Sequence, residues 1–249
     1  MTLKSKYIKP KFKKGSNPKI GLLALSTDLT IEKDFNSICH QLPLDIFVNR
    51  IHNENPLTKE NLLKMYDQIE SITEKILPGE KINTVAYGCT SGTVAIGEDR
   101  VKEKVQLAKP NCYVTTPITS AIKAFKKMNV KRISLFTPYP ESVNKTILEY
   151  FNKKNIDIVS FSSFNIDLDA DIASVDPIHL FQTLTSLDIN GADALFISCT
   201  ALPVLEILSD IEKKIKIPVF SSNQTLIWDT IRSSGYKSPV EGYGKLLRN

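Results

Sequence analysis

Short, unbroken apolar runs alternate along this chain with longer stretches whose apolar residues recur at helical spacing. The runs Ile20–Ser26, Leu44–Asn49, Ile82–Tyr87 and Cys112–Thr115 predict four buried strands in the first half. Arg132–Phe136, Ile156–Ser162, Ala194–Ile197 and Pro218–Phe220 predict four more in the second. Between them, spacing near the helical period predicts helices over Thr30–Gln41, Thr58–Ile76, a stretch ending near Leu107, Ile118–Met128, Glu141–Lys153, Pro177–Leu187, Val204–Lys214 and Gln224–Ser233. Thr58 supplies an N-cap for the second helix and Pro78-Gly79 a stop, while polar Asn165–Val175 reads as loop.

Strands alternating with helices make βα units, whose strands pair in parallel. Runs of Val, Ile, Leu and Phe without polar alternation fit strands covered by helices on both faces. The series restarts near Thr116-Pro117, so the expected fold class is α/β, with two parallel-sheet lobes related by pseudo-two-fold symmetry. Residues 1–17 form a basic extension, 18–116 with 224–249 the first lobe, and 117–223 the second. Open α/β sheets bind ligands beyond the carboxyl ends of their strands, which places the active site in the cleft between the lobes.

Two segments at such strand ends nearly repeat each other: Gly88-Cys89-Thr90-Ser91-Gly92-Thr93 and Ser198-Cys199-Thr200-Ala201-Leu202-Pro203. Each is expected to set a thiol beside a helix N-terminus, where unpaired N–H groups favour thiolate. Two thiols across one cleft can exchange protons on opposite faces of a carbon, or one can add to an activated double bond. The same N–H-rich loops suit a carboxylate and its enolate. Cys39 and Cys112, on an apolar helix face and at a strand start, read as core.

The 249 residues are 42% apolar and 24% charged, an ordinary balance for a globular chain. No apolar stretch approaches the roughly 18 residues that span a bilayer, and the N-terminus lacks a secretory signal pattern. The expectation is a cytoplasmic protein with no membrane partner. The net charge of +5 is uneven: residues 1–19 hold seven lysines and no acid, leaving 25 basic and 27 acidic residues elsewhere. That tail reads as a solvated extension without a nucleic-acid motif, so no nucleic-acid partner is expected. The four cysteines form no Cys-x-x-Cys, and His40, His52 and His179 are unpaired at helical spacing, which argues against disulfides, thiol redox chemistry and metal. Neither a Gly-x-Gly-x-x-Gly after the first strand nor a phosphate-loop lysine occurs, so no nucleotide cofactor is expected.

Cys89-Thr90-Ser91-Gly92-Thr93, Thr116-Pro117-Ile118-Thr119, Thr137-Pro138-Tyr139, Ser198-Cys199-Thr200-Ala201-Leu202 and Ser221-Ser222-Asn223-Gln224 with Trp228 occur in a telling order. Over residues 18–247 the chain resembles the aspartate/glutamate racemase superfamily, in the branch of maleate isomerase and arylmalonate decarboxylase. The resemblance implies two Rossmann-like lobes, no metal and no organic cofactor. It implies Cys89 as nucleophile or base and Cys199 as its partner, with Tyr139, Thr90, Ser91 and Thr200 holding substrate carboxylate. Retention of both cysteines argues against a decarboxylase. Ser222 is expected to cap the last helix and Asn223 to shape the turn before it.

One departure stands out: in Ser26-Thr27-Asp28-Leu29-Thr30-Ile31-Glu32, Asp28 occupies a position where maleate isomerases carry an Asn. An ionised carboxylate there repels a substrate carboxylate by roughly 4 kcal/mol at about 4 Å and an effective dielectric of about 20. Asp28 is therefore expected to read a substrate cation, unless it only caps the following helix. Asp169, in Leu168-Asp169-Ala170-Asp171-Ile172-Ala173, aligns with a second such Asn. Residues 24–35 are most similar to ectoine-utilisation proteins. The leading expectation is a cofactor-independent isomerase or racemase of a small amino-bearing carboxylic acid in ectoine or hydroxyectoine catabolism. Its alternatives are a maleate cis–trans isomerase and a non-catalytic small-ligand-binding protein; the partner is a small carboxylic or amino acid, with homo-oligomerisation left open.

Overall fold

The structure, a computed structural model, describes residues 7–12 and 15–249. Residues 7–12 have no regular structure, with Tyr7 and Phe12 exposed. Lys4, Lys6, Lys13 and Lys14 of the basic tail lie outside the described residues.

The first half runs β1 (Lys19–Leu25), α1 (Ile31–Cys39), β2 (Asp45–Ile51), α2 (Lys59–Lys64), a 3-10 turn (Met65–Gln68), α3 (Ile69–Glu74), β3 (Thr84–Tyr87), α4 (Thr90–Ile96), α5 (Glu98–Ala108) and β4 (Tyr113–Thr115). The second runs α6 (Pro117–Lys127), β5 (Arg132–Thr137), α7 (Glu141–Lys153), β6 (Asp157–Ser163), α8 (Asp169–Ala173), α9 (Pro177–Thr185), β7 (Ala194–Ile197), α10 (Leu205–Ile215), β8 (Val219–Ser221), α11 (Ser222–Ser233) and α12 (Gly244–Leu247). Two four-stranded sheets result, ordered β2-β1-β3-β4 and β6-β5-β7-β8, and each recorded pairing is parallel. The expected α/β class with two parallel sheets is what the chain adopts.

The two orders are the same order repeated, and the repeat is exact enough to compare residues. In the first sheet Leu23 pairs with Tyr87, and the next N–H, from Gly88, donates to the Leu23 carbonyl at 2.8 Å. In the second, Phe136 pairs with Ile197, and the Ser198 N–H donates to the Phe136 carbonyl at 2.8 Å. The next residues are Cys89 and Cys199. Each central sheet pair thus ends on the same hydrogen bond and then a cysteine.

The helices that follow the last strand of each sheet stitch the halves together. On α6, Thr116 and Thr119 form a capping box around Pro117 at the first turn. Its Phe125 is fully buried, edge-on to Phe196 of β7 (5.5 Å between ring centres) and to Phe220 of β8 (5.3 Å). Helix α11 follows β8 but bonds back to the first sheet: Thr230 Oγ1 lies 2.9 Å from Thr115 Oγ1, and Ser233 Oγ 3.2 Å from Thr84 Oγ1. Between the two helices, buried Asp229 accepts from Ser120 Oγ (2.9 Å) and pairs with Lys123 (2.7 Å).

Apart from shifts of a residue or two at element ends, the structure departs from the expected elements in four places. The helix expected over Thr58–Ile76 is α2, the 3-10 turn and α3; Leu62, Met65, Ile69, Thr73 and Ile76 stay buried through it, so the apolar pattern carries no mark of the tighter turn. Thr58 does cap it, its side chain accepting from the Asn61 N–H at 3.2 Å. The helix after Cys89 breaks at Gly97, whose φ of +99° suits glycine. Asn165–Val175, read as loop, contains the short helix α8, and α12 was not expected; each is too short to show a period.

Removing the ring that joins α6 to the second sheet should be costly. Phe125→Ala is expected to lower stability by about 3–5 kcal/mol, read as an earlier urea midpoint at unchanged slope. A loss under about 1 kcal/mol would show that α6 is not part of that core.

Candidate active site

Cys89, two residues past β3, is in extended conformation and is the N-cap residue of α4. Its Sγ accepts from the Gly92 N–H at 3.2 Å and lies 3.8 Å from Ser91 Oγ. A Cβ on Gly92 would sit 2.8 Å from that sulfur and 2.7 Å from Met65 Cε, so glycine at this position lets the helix close onto the thiol. Thr90 opens α4, and its hydroxyl meets Ser222 Oγ at 2.8 Å.

Cys199 occupies the matching place after β7, but its surroundings differ. Helix α10 begins only at Leu205, so Cys199 is not at a helix N-terminus; the expectation of two equivalent strand–Cys–helix turns holds for Cys89 alone. Cys199 instead sits at φ +108°, outside the regions a side chain ordinarily prefers. Its N–H donates to Ser222 Oγ at 3.0 Å, and Asn223 Nδ2 donates to the Thr200 carbonyl at 2.8 Å. Thr200 Oγ1 reaches across to the Gly88 carbonyl (3.3 Å), and Thr30 Oγ1 to the Ala201 carbonyl (2.7 Å). Hydroxyls and one amide therefore hold this loop where a helix would have.

Two carboxyls and a phenol complete the cluster. Asp28 Oδ1 accepts from the N–H groups of Thr30 (2.7 Å) and Ile31 (2.8 Å), which fixes the first turn of α1. Asp28 Oδ2 is buried without a hydrogen-bond partner. Asp169, at the start of α8, accepts from Thr27 Oγ1 (2.5 Å) and Asn53 Nδ2 (3.1 Å), linking the second half of the chain to the loops after β1 and β2. Tyr139 is fully buried, its hydroxyl 3.4 Å from Ser198 Oγ. Asp169 and Asp28 both act electrostatically on Cys89 and on Cys199, and Tyr139 feels both thiols. The structure thus brings together Cys89, Cys199, Tyr139, Asp28, Asp169 and Thr200, with Thr90 and Ser91 on the first turn beside Cys89.

Electrostatically the site is the reverse of an activated thiolate pair. Burial pushes Cys89 up to about 12, and Asp169 and Asp28 add to that, while the Gly92 N–H and Ser91 hydroxyl pull the other way. Burial likewise holds Cys199 well above the usual thiol range, with the Ala201 N–H opposing. The expected lowering by N–H groups is present but is outweighed by desolvation. Tyr139 is raised by burial first and then by Cys199, and Asp169 by burial against its hydrogen bonds to Thr27 and Asn53. At rest both thiols and the phenol are neutral.

Two residues of the cluster, Asp34 and Asn53, were not singled out from the sequence, and Ser222 and Asn223 have other partners than a cap and a turn imply. Ser222 is not the cap of the last helix: Ser221 Oγ accepts from the Gln224 N–H (3.1 Å), freeing Ser222 to join the two cysteine loops. Asn223 lies in the first turn of α11 and bonds Asp34 Oδ2 at 2.8 Å. Burial lifts Asp34 to about 7 against the pull of the Asn223 bond. A signal existed, since Asp34 interrupts the apolar stripe Ile31, Phe35, Ile38, Cys39 of α1. Asn53 carried none. Among the described residues no group of three or more His, Cys, Asp or Glu is arranged to hold a metal, and no helix is long and apolar enough to cross a membrane.

Neutral thiols predict a reactivity profile. Modification of Cys89 by a small disulfide reagent should accelerate by about tenfold per pH unit across the neutral range, following the growing thiolate fraction. A rate that levels off near neutrality, read by stopped-flow absorbance with Cys89→Ser as reference, would indicate a thiolate already present at rest.

Residues 83–247 match a family model described as arylmalonate decarboxylase. The chain is 23% identical over 245 residues to a maleate isomerase of Geobacillus stearothermophilus, covering 92% of this chain and 96% of that protein. It is 26% identical over 140 residues to the arylmalonate decarboxylase of Bordetella bronchiseptica, covering 53% and 57%. Among solved structures, a Nocardia farcinica maleate isomerase, as a cysteine-to-serine mutant with a covalently bound succinylcysteine intermediate, superposes with a TM-score of 0.85 at 20% identity. That match spans 94% of this chain and 99% of the other. A two-sheet fold with a cysteine at the same edge of each sheet, joined to a family match over most of the chain, leads to one assignment: this protein belongs to the arylmalonate decarboxylase family.

Proposed function

We propose that the protein is a cofactor-independent cis–trans isomerase that converts maleate to fumarate with Cys89 and Cys199. The observation that carries this reading is the pair of buried thiols at matching strand ends, both under the influence of Asp28 and Asp169. Full-length similarity to maleate isomerases supports it over decarboxylation.

In this reading the first-turn N–H groups and hydroxyls of Thr90 and Ser91, with Thr200 and the phenol of Tyr139, hold the carboxylates. The Cys89 sulfur bonds to one alkene carbon, and the electrons of the double bond take the Cys199 proton at the other carbon. The proton shed by Cys89 restores Cys199 to its neutral form. The former double bond is now single and turns. Reversal of the same proton steps removes the added hydrogen, breaks the C–S bond and returns both thiols with fumarate. Neutral thiols at rest suit this sequence, because sulfur and proton are both delivered.

The acidic pair Asp28 and Asp169 favours a second reading, an amino-bearing acid as substrate. A place in ectoine or hydroxyectoine breakdown rests on the similarity of residues 24–35 alone.

Proton NMR of maleate incubated with the protein should show fumarate accumulating. Cys199→Ser should lower kcat by roughly 100- to 10,000-fold, the range for loss of an acid–base group, and Cys89→Ser should abolish turnover. Binding of maleate without fumarate formation would identify a binding protein instead.

A further inference from the structure

Resting on the dicarboxylate reading above, we infer that Asp28 works as a neutral carboxylic acid whose Oδ2–H donates to one carboxylate of the substrate. The two oxygens of Asp28 are not equivalent. Oδ1 is committed to the Thr30 and Ile31 N–H groups, while Oδ2 is buried and receives no donor. The Thr200 hydroxyl beside it, which pulls the Asp28 carboxyl down, has its hydrogen bond to the Gly88 carbonyl at 3.3 Å. A buried anionic oxygen left bare is costly, so Oδ2 requires either a proton or a cation.

The neighbours favour the proton. Asp28 shares the space with Asp34 of α1, the helix that follows it, Asp169 of α8, Cys89 before α4 and Cys199 after β7, each acidic or thiol. The basic group acting on Asp28 is Arg50 of β2. Its guanidinium donates to the carbonyls of Leu25 (3.0 Å), Ser26 (3.3 Å) and Asp28 (3.0 Å) and pairs with Glu32 (2.7 Å), so it is spent away from Oδ2. Burial raises the Asp28 carboxyl against the pull of the Ile31 and Thr30 N–H groups and, more weakly, of the Thr200 hydroxyl and Arg50. A protonated carboxyl then presents one acceptor to the helix and one donor to the site, as an asparagine amide does. The repulsion expected of an ionised Asp28 does not arise.

The sign follows from the chemistry: the neutral acid binds, and ionisation with rising pH both removes the donor and adds repulsion. Affinity for maleate should therefore fall by up to about tenfold per pH unit above the Asp28 midpoint. An amide cannot ionise, and asparagine keeps the cap on α1.

The test is calorimetric titration of maleate into the non-reacting Cys89→Ser enzyme, with and without Asp28→Asn, from about pH 5 to about pH 9, a span that brackets a carboxyl raised by burial. The expected result is that at the alkaline end Asp28→Asn binds at least about tenfold more tightly than its Asp28 parent, and that the pH dependence drops by one proton. Weaker binding by Asp28→Asn throughout overturns the inference. So does aspartate binding more tightly than maleate to the Asp28 enzyme, which would indicate ammonium recognition, or no maleate binding by either protein. Maleate bound with the expected pH dependence but never isomerised by the wild-type enzyme sinks the isomerase reading and leaves this one standing.

Discussion

One hydroxyl ties the two cysteine loops together. Ser222 Oγ accepts the Cys199 N–H at 3.0 Å and meets the Thr90 hydroxyl at 2.8 Å, so a residue of α11 touches the loop that ends each sheet. Each such buried bond is worth only about 1 kcal/mol net, but leaving its partners unsatisfied costs about 1–3 kcal/mol per group. Cys199 depends on it most, because its loop lacks a helix and its backbone sits at φ +108°. Thr200 to Gly88, Thr30 to Ala201 and Asn223 to Thr200 are the further struts. The geometry of the second thiol is thus set by side chains from elsewhere in the chain, whereas that of the first is set by its own helix.

Burial governs the chemistry that this frame can support. A helix N-terminus favours thiolate by a few N–H groups, and Gly92 contributes one to Cys89. Against it stand complete enclosure and two carboxyls, and the enclosure wins. The resulting site keeps its protons until substrate arrives, which suits addition of sulfur and hydrogen across a double bond better than attack by a standing thiolate. The same enclosure bears on Asp28, where charge alone argued for a cationic partner and desolvation argues for a proton.

Most of the fold was legible because buried parallel strands announce themselves as unbroken apolar runs and the order simply repeats. The breaks were not: the 3-10 turn at Met65–Gln68 preserves the buried face, and α8 and α12 are shorter than a readable period. Within the site, Cys89 and Cys199 were legible as a repeated motif. Their difference was hidden, since strand-Cys-Thr looks alike whether the next helix starts at once or six residues later. Ser222 was seen but misassigned as a cap, because Ser221 and Ser222 are equally good caps in sequence and only the strand end at Ser221 decides. Asn53 reaches Asp169 over a long stretch of chain, a contact that exists only once the two halves are folded together.

The central claim is that two thiols act on one bound molecule, with Cys89 forming the bond to carbon. Mass spectrometry of the Cys199→Ser enzyme after mixing with maleate addresses it directly. The account predicts a mass gain of one maleate, mapped to the peptide that carries Cys89. An adduct confined to another cysteine, or fumarate production that survives Cys89→Ser, would contradict it.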